Sequence, residues 1–149
     1  MLEPFDDAYF MGKALQEAEA AFDKDEIPVG AIITIENRII ARAHNLTEQL
    51  HDVTAHAEMQ AITAAANFLG GKYLKGCTLY VTLEPCQMCA GALYWSQIDT
   101  IVYGAKDPNR GFTVLNTKIH PKTKVKSGVL AGKCEQLLTQ FFIEKRNLN

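Results

Sequence analysis

The sequence predicts an α/β fold, a three-layer α/β/α sandwich on a mixed sheet of about five strands. Short runs of β-branched and other apolar residues alternate with segments whose apolar residues recur at helical spacing. Strand–helix–strand units of this kind imply a partly parallel sheet covered on both faces. A chain of 149 residues with 48% hydrophobic content can bury a full core without staples. Residues 1–149 read as one domain, with no internal repeat, linker or low-complexity tract.

Met11, Leu15, Ala18 and Phe22 recur at helical spacing, so a first amphipathic helix is expected from about Pro4 to Asp23. Pro28-Val29-Gly30 opens a strand through Ile35, Glu36-Asn37 turns it, and Arg38 to Ala43 returns as its hairpin partner. Residues 44–53 form a polar loop. A second helix runs from about His56 to Leu69 and stops at Gly70-Gly71. Thr78 to Leu83 is a strand, and Pro85 suits the first turn of a helix reaching Ser96. Thr100 to Tyr103 is another strand. A long loop then leads to a closing helix, Ala131 to Arg146.

No apolar run is long enough to span a bilayer, and no basic-then-apolar leader opens the chain. Four cysteines, two of them in one C-x-x-C, make no disulfide framework, so a reducing cytoplasm is expected. Cys77 and Cys134 read as small buried hydrophobes. The net charge of −2 conceals an asymmetry. Residues 1–99 hold 6 basic and 14 acidic side chains, whereas residues 100–149 hold 9 and 3. Lys106, Arg110, Lys118, Lys122, Lys124, Lys126 and Lys133 form a basic stretch fit for a phosphate-bearing ligand, or else merely solvate a loop.

Two short patches carry the chemistry. His56-Ala57-Glu58 offers an imidazole and a carboxylate, and Pro85-Cys86-Gln87-Met88-Cys89 offers two thiols three apart. His56, Cys86 and Cys89 make three ligands of the kind zinc prefers and leave one coordination position for water. Zinc with an open position lowers the pKa of that water toward neutrality. Glu58 is then the proton shuttle, provided it lies near the metal without ligating it. A lone C-x-x-C is also compatible with a redox pair or half a structural site. The first leaves His56 and Glu58 unexplained, and the second would need Cys77 and Cys134, which lack the spacing. Cys86 and Cys89 share one face of a first helical turn, where the helix dipole favours thiolates. His56 and Glu58, only two apart, both reach the metal only from a helix start. Two helix N termini are therefore expected to converge on one zinc at the ends of adjacent strands.

Thr82-Leu83-Glu84-Pro85-Cys86-Gln87-Met88-Cys89-Ala90-Gly91-Ala92 and Thr54-Ala55-His56-Ala57-Glu58 resemble the bacterial tRNA adenosine deaminases of the cytidine deaminase superfamily. The similarity extends through Pro28-Val29-Gly30-Ala31, Tyr103-Gly104-Ala105-Lys106-Asp107, Gly128-Val129-Leu130 and Phe141-Phe142, nearly the whole chain. It implies a cytidine deaminase-like fold, one Zn2+ per chain on His56, Cys86 and Cys89, and Glu58 as general acid/base. It further implies conversion of the wobble adenosine of an arginine tRNA anticodon loop to inosine, by a cytoplasmic homodimer. Asn45 matches a position that hydrogen-bonds the flipped base, and Asp107 one that touches the nucleic-acid backbone. Lys106, Phe142 and Arg146 are expected to contact the anticodon loop. The Ala57 N–H is expected to hold the base, and Val29 to line the pocket floor. Val53 stands where the family often has proline, and some relatives continue past the position of Arg146 into a basic tail. The Lys118 to Lys126 cluster is expected to supply phosphate contacts instead.

The bare spacing also fits deaminases of free cytosine, guanine or deoxycytidylate, for which Tyr94-Trp95 would offer a stacking platform, although aromatics at helical positions in an apolar run usually belong to a core. A zinc-stabilised RNA-binding module without catalysis would give no reason for Glu58.

Overall fold

The computed structural model describes residues 5–147. Helix α1 (Asp7–Asp23) is capped by Asp6, whose carboxylate accepts the Tyr9 N–H at 2.8 Å. The expected start at Pro4 lies outside the described residues. Strands β1 (Gly30–Ile35) and β2 (Arg38–His44) form the expected hairpin. Glu36 and Asn37 between them have φ angles of 49° and 61°, the two positive values that a type I′ turn requires. Helix α2 (Ala57–Leu69), strand β3 (Cys77–Leu83), helix α3 (Gln87–Ser96) and strand β4 (Thr100–Ala105) follow in the expected order. Strand β5 (Lys124–Lys126) and helix α4 (Ala131–Asn147) come last.

The sheet order is β2-β1-β3-β4-β5. β1 is antiparallel to both its neighbours, whereas β3, β4 and β5 run parallel. The mixed five-stranded sheet is therefore as expected, but its fifth strand lies inside the segment read as a long loop. Lys124-Val125-Lys126 is three exposed residues paired only with Thr100–Val102, too short and too polar to announce a strand. Pro85 is also displaced from expectation. It precedes α3 rather than opening it, because Cys86 takes the N-cap position, and its carbonyl accepts the Phe112 N–H at 2.9 Å.

Alternation along the strands sorts the core into two layers. Ala31, Ile33, Leu79, Val81, Ile101 and Tyr103 pack with Ala57, Ala61 and Ala65 of α2 and Ala90 and Leu93 of α3. Ile32, Tyr80 and Val102 pack on the other face with Phe10, Met11, Ala14 and Leu15 of α1 and Cys134 of α4. Full burial of one such Ile or Leu contributes roughly 1.5–3 kcal/mol. Cys77 and Cys134 are buried, as their apolar settings imply. A Cβ at Gly30 would strike the α1 backbone at Ala14, so glycine there lets α1 lie close on the sheet.

This topology positions the site. Gly30 pairs with His44 and Ala31 with Val81, so β2 and β3 finish at the same end of the sheet. The chain leaves β2 for α2 and β3 for α3, which brings both helix N termini to that end.

Candidate active site

His56 is the N-cap of α2 and Cys86 the N-cap of α3, both in extended conformation. Neither side chain caps its own helix, so each is free to turn toward the other. Cys89 follows one turn into α3 and is fully buried. His56 Nδ1 lies 3.6 Å from Cys86 Sγ and 3.5 Å from Cys89 Sγ, and all three donor atoms fall within 4.8 Å of one another. Zinc–sulfur bonds of about 2.3 Å and a zinc–nitrogen bond of about 2.0 Å, meeting tetrahedrally, give a nitrogen–sulfur edge of about 3.5 Å. The donor set thus fits zinc in both chemistry and spacing.

The thiols are unequal. Cys86 is drawn down to about 4, first by the hydrogen bond from Cys89 and then by His56, while its own burial opposes this. Cys89 is pushed up, first because its proton serves Cys86 and then by burial. His56 is raised, chiefly by its hydrogen bond to Cys86. The pair thus shares a proton that metal binding displaces, since both ligands must then be thiolates. Glu58, buried in the first turn of α2, has its carboxyl pushed up to about 7, first by desolvation, with its backbone N–H and His56 pulling it back. A divalent cation here favours the charged form of each anionic group around it.

The segment between β2 and α2 is held from several sides. Gln60 Nε2 donates to the His44 carbonyl at 2.7 Å and the Ala55 carbonyl at 3.1 Å. The fully buried carboxylate of Glu26 accepts the Glu48 and Gln49 N–H groups at 3.0 and 2.8 Å. Asn45, also buried, donates its N–H to the Val29 carbonyl at 3.1 Å. Its side-chain Nδ2 is only loosely engaged, 3.5 Å from Thr47 Oγ1.

A groove of about 1060 Å³ opens over the donor cluster. His56, Cys86 and Glu58 line it together with Val29, Asn45, Ala57, Lys106, Asp107 and Phe142, so most of the expected substrate contacts share one surface. Arg146 does not line the groove and is exposed one turn beyond Phe142. Phe141 takes the core position, 5% exposed and edge-on to Phe22 at 5.6 Å, which leaves Phe142 46% exposed on the groove side. None of Lys118, Lys122, Lys124, Lys126 and Lys133 lines the groove. β5 pairs with the start of β4, so Lys124 and Lys126 lie toward the opposite end of the sheet. Tyr94 and Trp95 are also absent from it, and Trp95 is 77% exposed, neither core nor platform.

Several lining residues were not expected as substrate contacts. Arg110 belongs to the basic stretch. Glu135, Leu138 and Thr139 precede Phe142 at intervals of seven, four and three, so the helical stripe of Phe142 points to them. Glu84 carries no such signal. Its buried carboxylate accepts hydrogen bonds from Asp107 and Thr113 across the groove wall.

Residues 5–105 match the cytidine and deoxycytidylate deaminase zinc-binding region. The chain is 46% identical to a tRNA-specific adenosine deaminase of Aquifex aeolicus over 144 residues, covering 93% of this chain and 95% of the relative. It is 45% identical to a tRNA-specific adenosine deaminase of Bacillus subtilis over 146 residues, covering 94% and 91%. A solved structure from studies of A-to-I editing by tRNA:A34 deaminases at the wobble position of transfer RNA superposes with a TM-score of 0.82. Its identity is 41%, and the match covers 87% of this chain and 99% of that one.

Proposed function

The chain belongs to the zinc-binding cytidine and deoxycytidylate deaminase family, and on that premise we propose that it deaminates the wobble adenosine of a tRNA anticodon loop, in an arginine tRNA, to inosine. The observation that carries this reading is the set of zinc donors with Glu58 at the floor of a groove lined by Asn45, Lys106, Asp107 and Phe142. The groove is open to solvent along its length, in keeping with a base that arrives attached to a strand.

His56, Cys86 and Cys89 would hold the zinc, which would supply a Lewis acid that activates water for attack at neutral pH. Hydrolysis adds the water oxygen at the amino-bearing carbon of the purine and releases ammonia. Glu58 takes the proton of the attacking water and returns it to the departing amine. Its place in the first turn of α2, buried two residues from His56 and lining the groove, supports this two-way role. Asn45 and the Ala57 N–H hold the flipped base over the Val29 floor. Lys106 and Asp107 meet the strand backbone, Phe142 stacks on a flanking base, and Arg146 reaches RNA beyond the groove.

We read the protein as a cytoplasmic homodimer. Among the described residues no helix is long and apolar enough to cross a membrane. Trp95, Phe68, Leu69 and Tyr73 leave apolar surface exposed near the ends of α2 and α3, where the Leu74 N–H meets the Ser96 carbonyl, and this favours a partner there. A dimeric mass in light scattering supports the assignment, and a monomer at micromolar concentration refutes it.

The function is tested by incubating the zinc-loaded protein with an arginine anticodon stem-loop, and with free guanine, adenine, cytosine and cytidine. The stem-loop is expected to release ammonia and the free compounds are not. Glu58→Ala is expected to lower kcat by roughly 10²–10⁴ while zinc stays at one per chain. Turnover of a free base with the RNA intact would assign a small-molecule deaminase.

A further inference from the structure

We propose that Glu84 is a positioning residue for RNA binding. Its carboxylate fastens the loop of residues 106–113 to the segment that presents Cys86, and so sets where the anticodon loop lies relative to the reacting centre. The inference rests on the tRNA reading above.

Glu84 stands between the last residue of β3 and Pro85, at the turn into the Cys86 cap. It is 3% exposed, yet among the described residues no basic side chain pairs with it. Its charge is met by donors from one loop only. Oε1 accepts the Asp107 N–H at 3.1 Å, and Oε2 accepts the Thr113 N–H at 3.0 Å and the Thr113 hydroxyl at 2.6 Å. Charge-assisted bonds of this kind are about twice as strong as neutral ones. The three donors bracket the loop, Asp107 at one end and Thr113 at the other, and between them lies Arg110 of the groove wall.

The same two segments are joined through their backbones. The Glu84 N–H donates to the Ala105 carbonyl at 2.8 Å, Phe112 N–H to Pro85, and Cys86 forms an isolated antiparallel bridge with Gly111. Gly111 is also the position where a side chain would collide. A Cβ there would land on the Glu84 carboxyl group, so glycine lets the loop close over the carboxylate. Inside the loop, Asp107 Oδ1 accepts the Asn109 and Arg110 N–H groups, each at 3.0 Å. Glu84 thus holds the backbone of Asp107, and Asp107 shapes the turn that carries Arg110. Glu84 itself needs no contact with substrate.

The test compares zinc-loaded wild type with Glu84→Gln, which has one acceptor oxygen for the three donors, and with Gly111→Ala, which disturbs the same seat without changing charge. Three quantities are read: zinc per chain, amide hydrogen exchange, and kcat and KM on the stem-loop. Both variants are expected to keep one zinc per chain and to exchange faster at Asp107 and Thr113 than in α3. KM should rise by about tenfold while kcat stays within about threefold, as for lost uniform binding. If Glu84→Gln fails to fold, Gly111→Ala alone carries the comparison. Loss of zinc, unchanged exchange, or a fall in kcat at constant KM overturns the proposal. A wild type inactive on the RNA refutes the tRNA reading and this inference with it, whereas an active wild type with unchanged variant KM overturns the inference alone.

Discussion

Phe141 and Phe142 are neighbours of one residue type with opposite surroundings. Phe141 is 5% exposed against Phe22, and Phe142 is 46% exposed along the groove. Phe141→Ala is therefore expected to cost about 3–5 kcal/mol of stability with KM unchanged once folded. Phe142→Ala should cost less than about 1 kcal/mol and raise KM for the stem-loop. Urea unfolding and kinetics on both variants check the pair, and the reverse pattern would contradict the assignment of Phe142 to the substrate. At this scale the zinc donors were fully legible, because three ligand types at fixed spacing around a helix start have few other uses. Which phenylalanine faces the groove was not legible, since that depends on how α4 is rotated on the sheet. Glu84 was invisible as a clamp because its partners lie 23 and 29 residues onward in a loop without periodicity.

At the scale of elements, the site depends on two strand-to-helix junctions that lie at one end of the sheet. The alternation of apolar runs with helical stripes, and the turn at Glu36-Asn37, made four strands and four helices readable. β5 was not, since a three-residue edge strand draws its definition from β4 and not from its own pattern. The close packing of α1 on β1 is testable. Gly30→Ala forces a methyl group into the α1 backbone near Ala14, and is expected to lower stability by at least about 1–3 kcal/mol. A lower urea midpoint at unchanged m-value would check this, and an unaltered midpoint would show that α1 can shift freely.

Over the whole molecule, the basic half of the sequence divides once folded. Lys106 and Arg110 reach the groove wall, whereas Lys124 and Lys126 sit on the edge strand toward the other end, with Lys126 beside Asp7 at 3.2 Å. Two phosphate contacts on a single strand contribute a log–log salt slope of about −1.4. Replacing Lys106 and Arg110 with Gln should flatten the salt dependence of RNA binding by about that amount, and replacing Lys118, Lys122 and Lys124 should leave it unchanged. Binding titrations across a salt series decide between them. The basic cluster was plain in the sequence, but its distance from the site was not, because that separation is set by the register of β4 with β5. The most direct measurement of the central claim is the position of the product. A full-length arginine tRNA transcript with adenosine at the wobble position and elsewhere in the anticodon loop is incubated with the zinc-loaded protein and read nucleotide by nucleotide. Inosine at the wobble position alone is the predicted result, whereas an unchanged transcript, or inosine spread over the loop, would contradict the account.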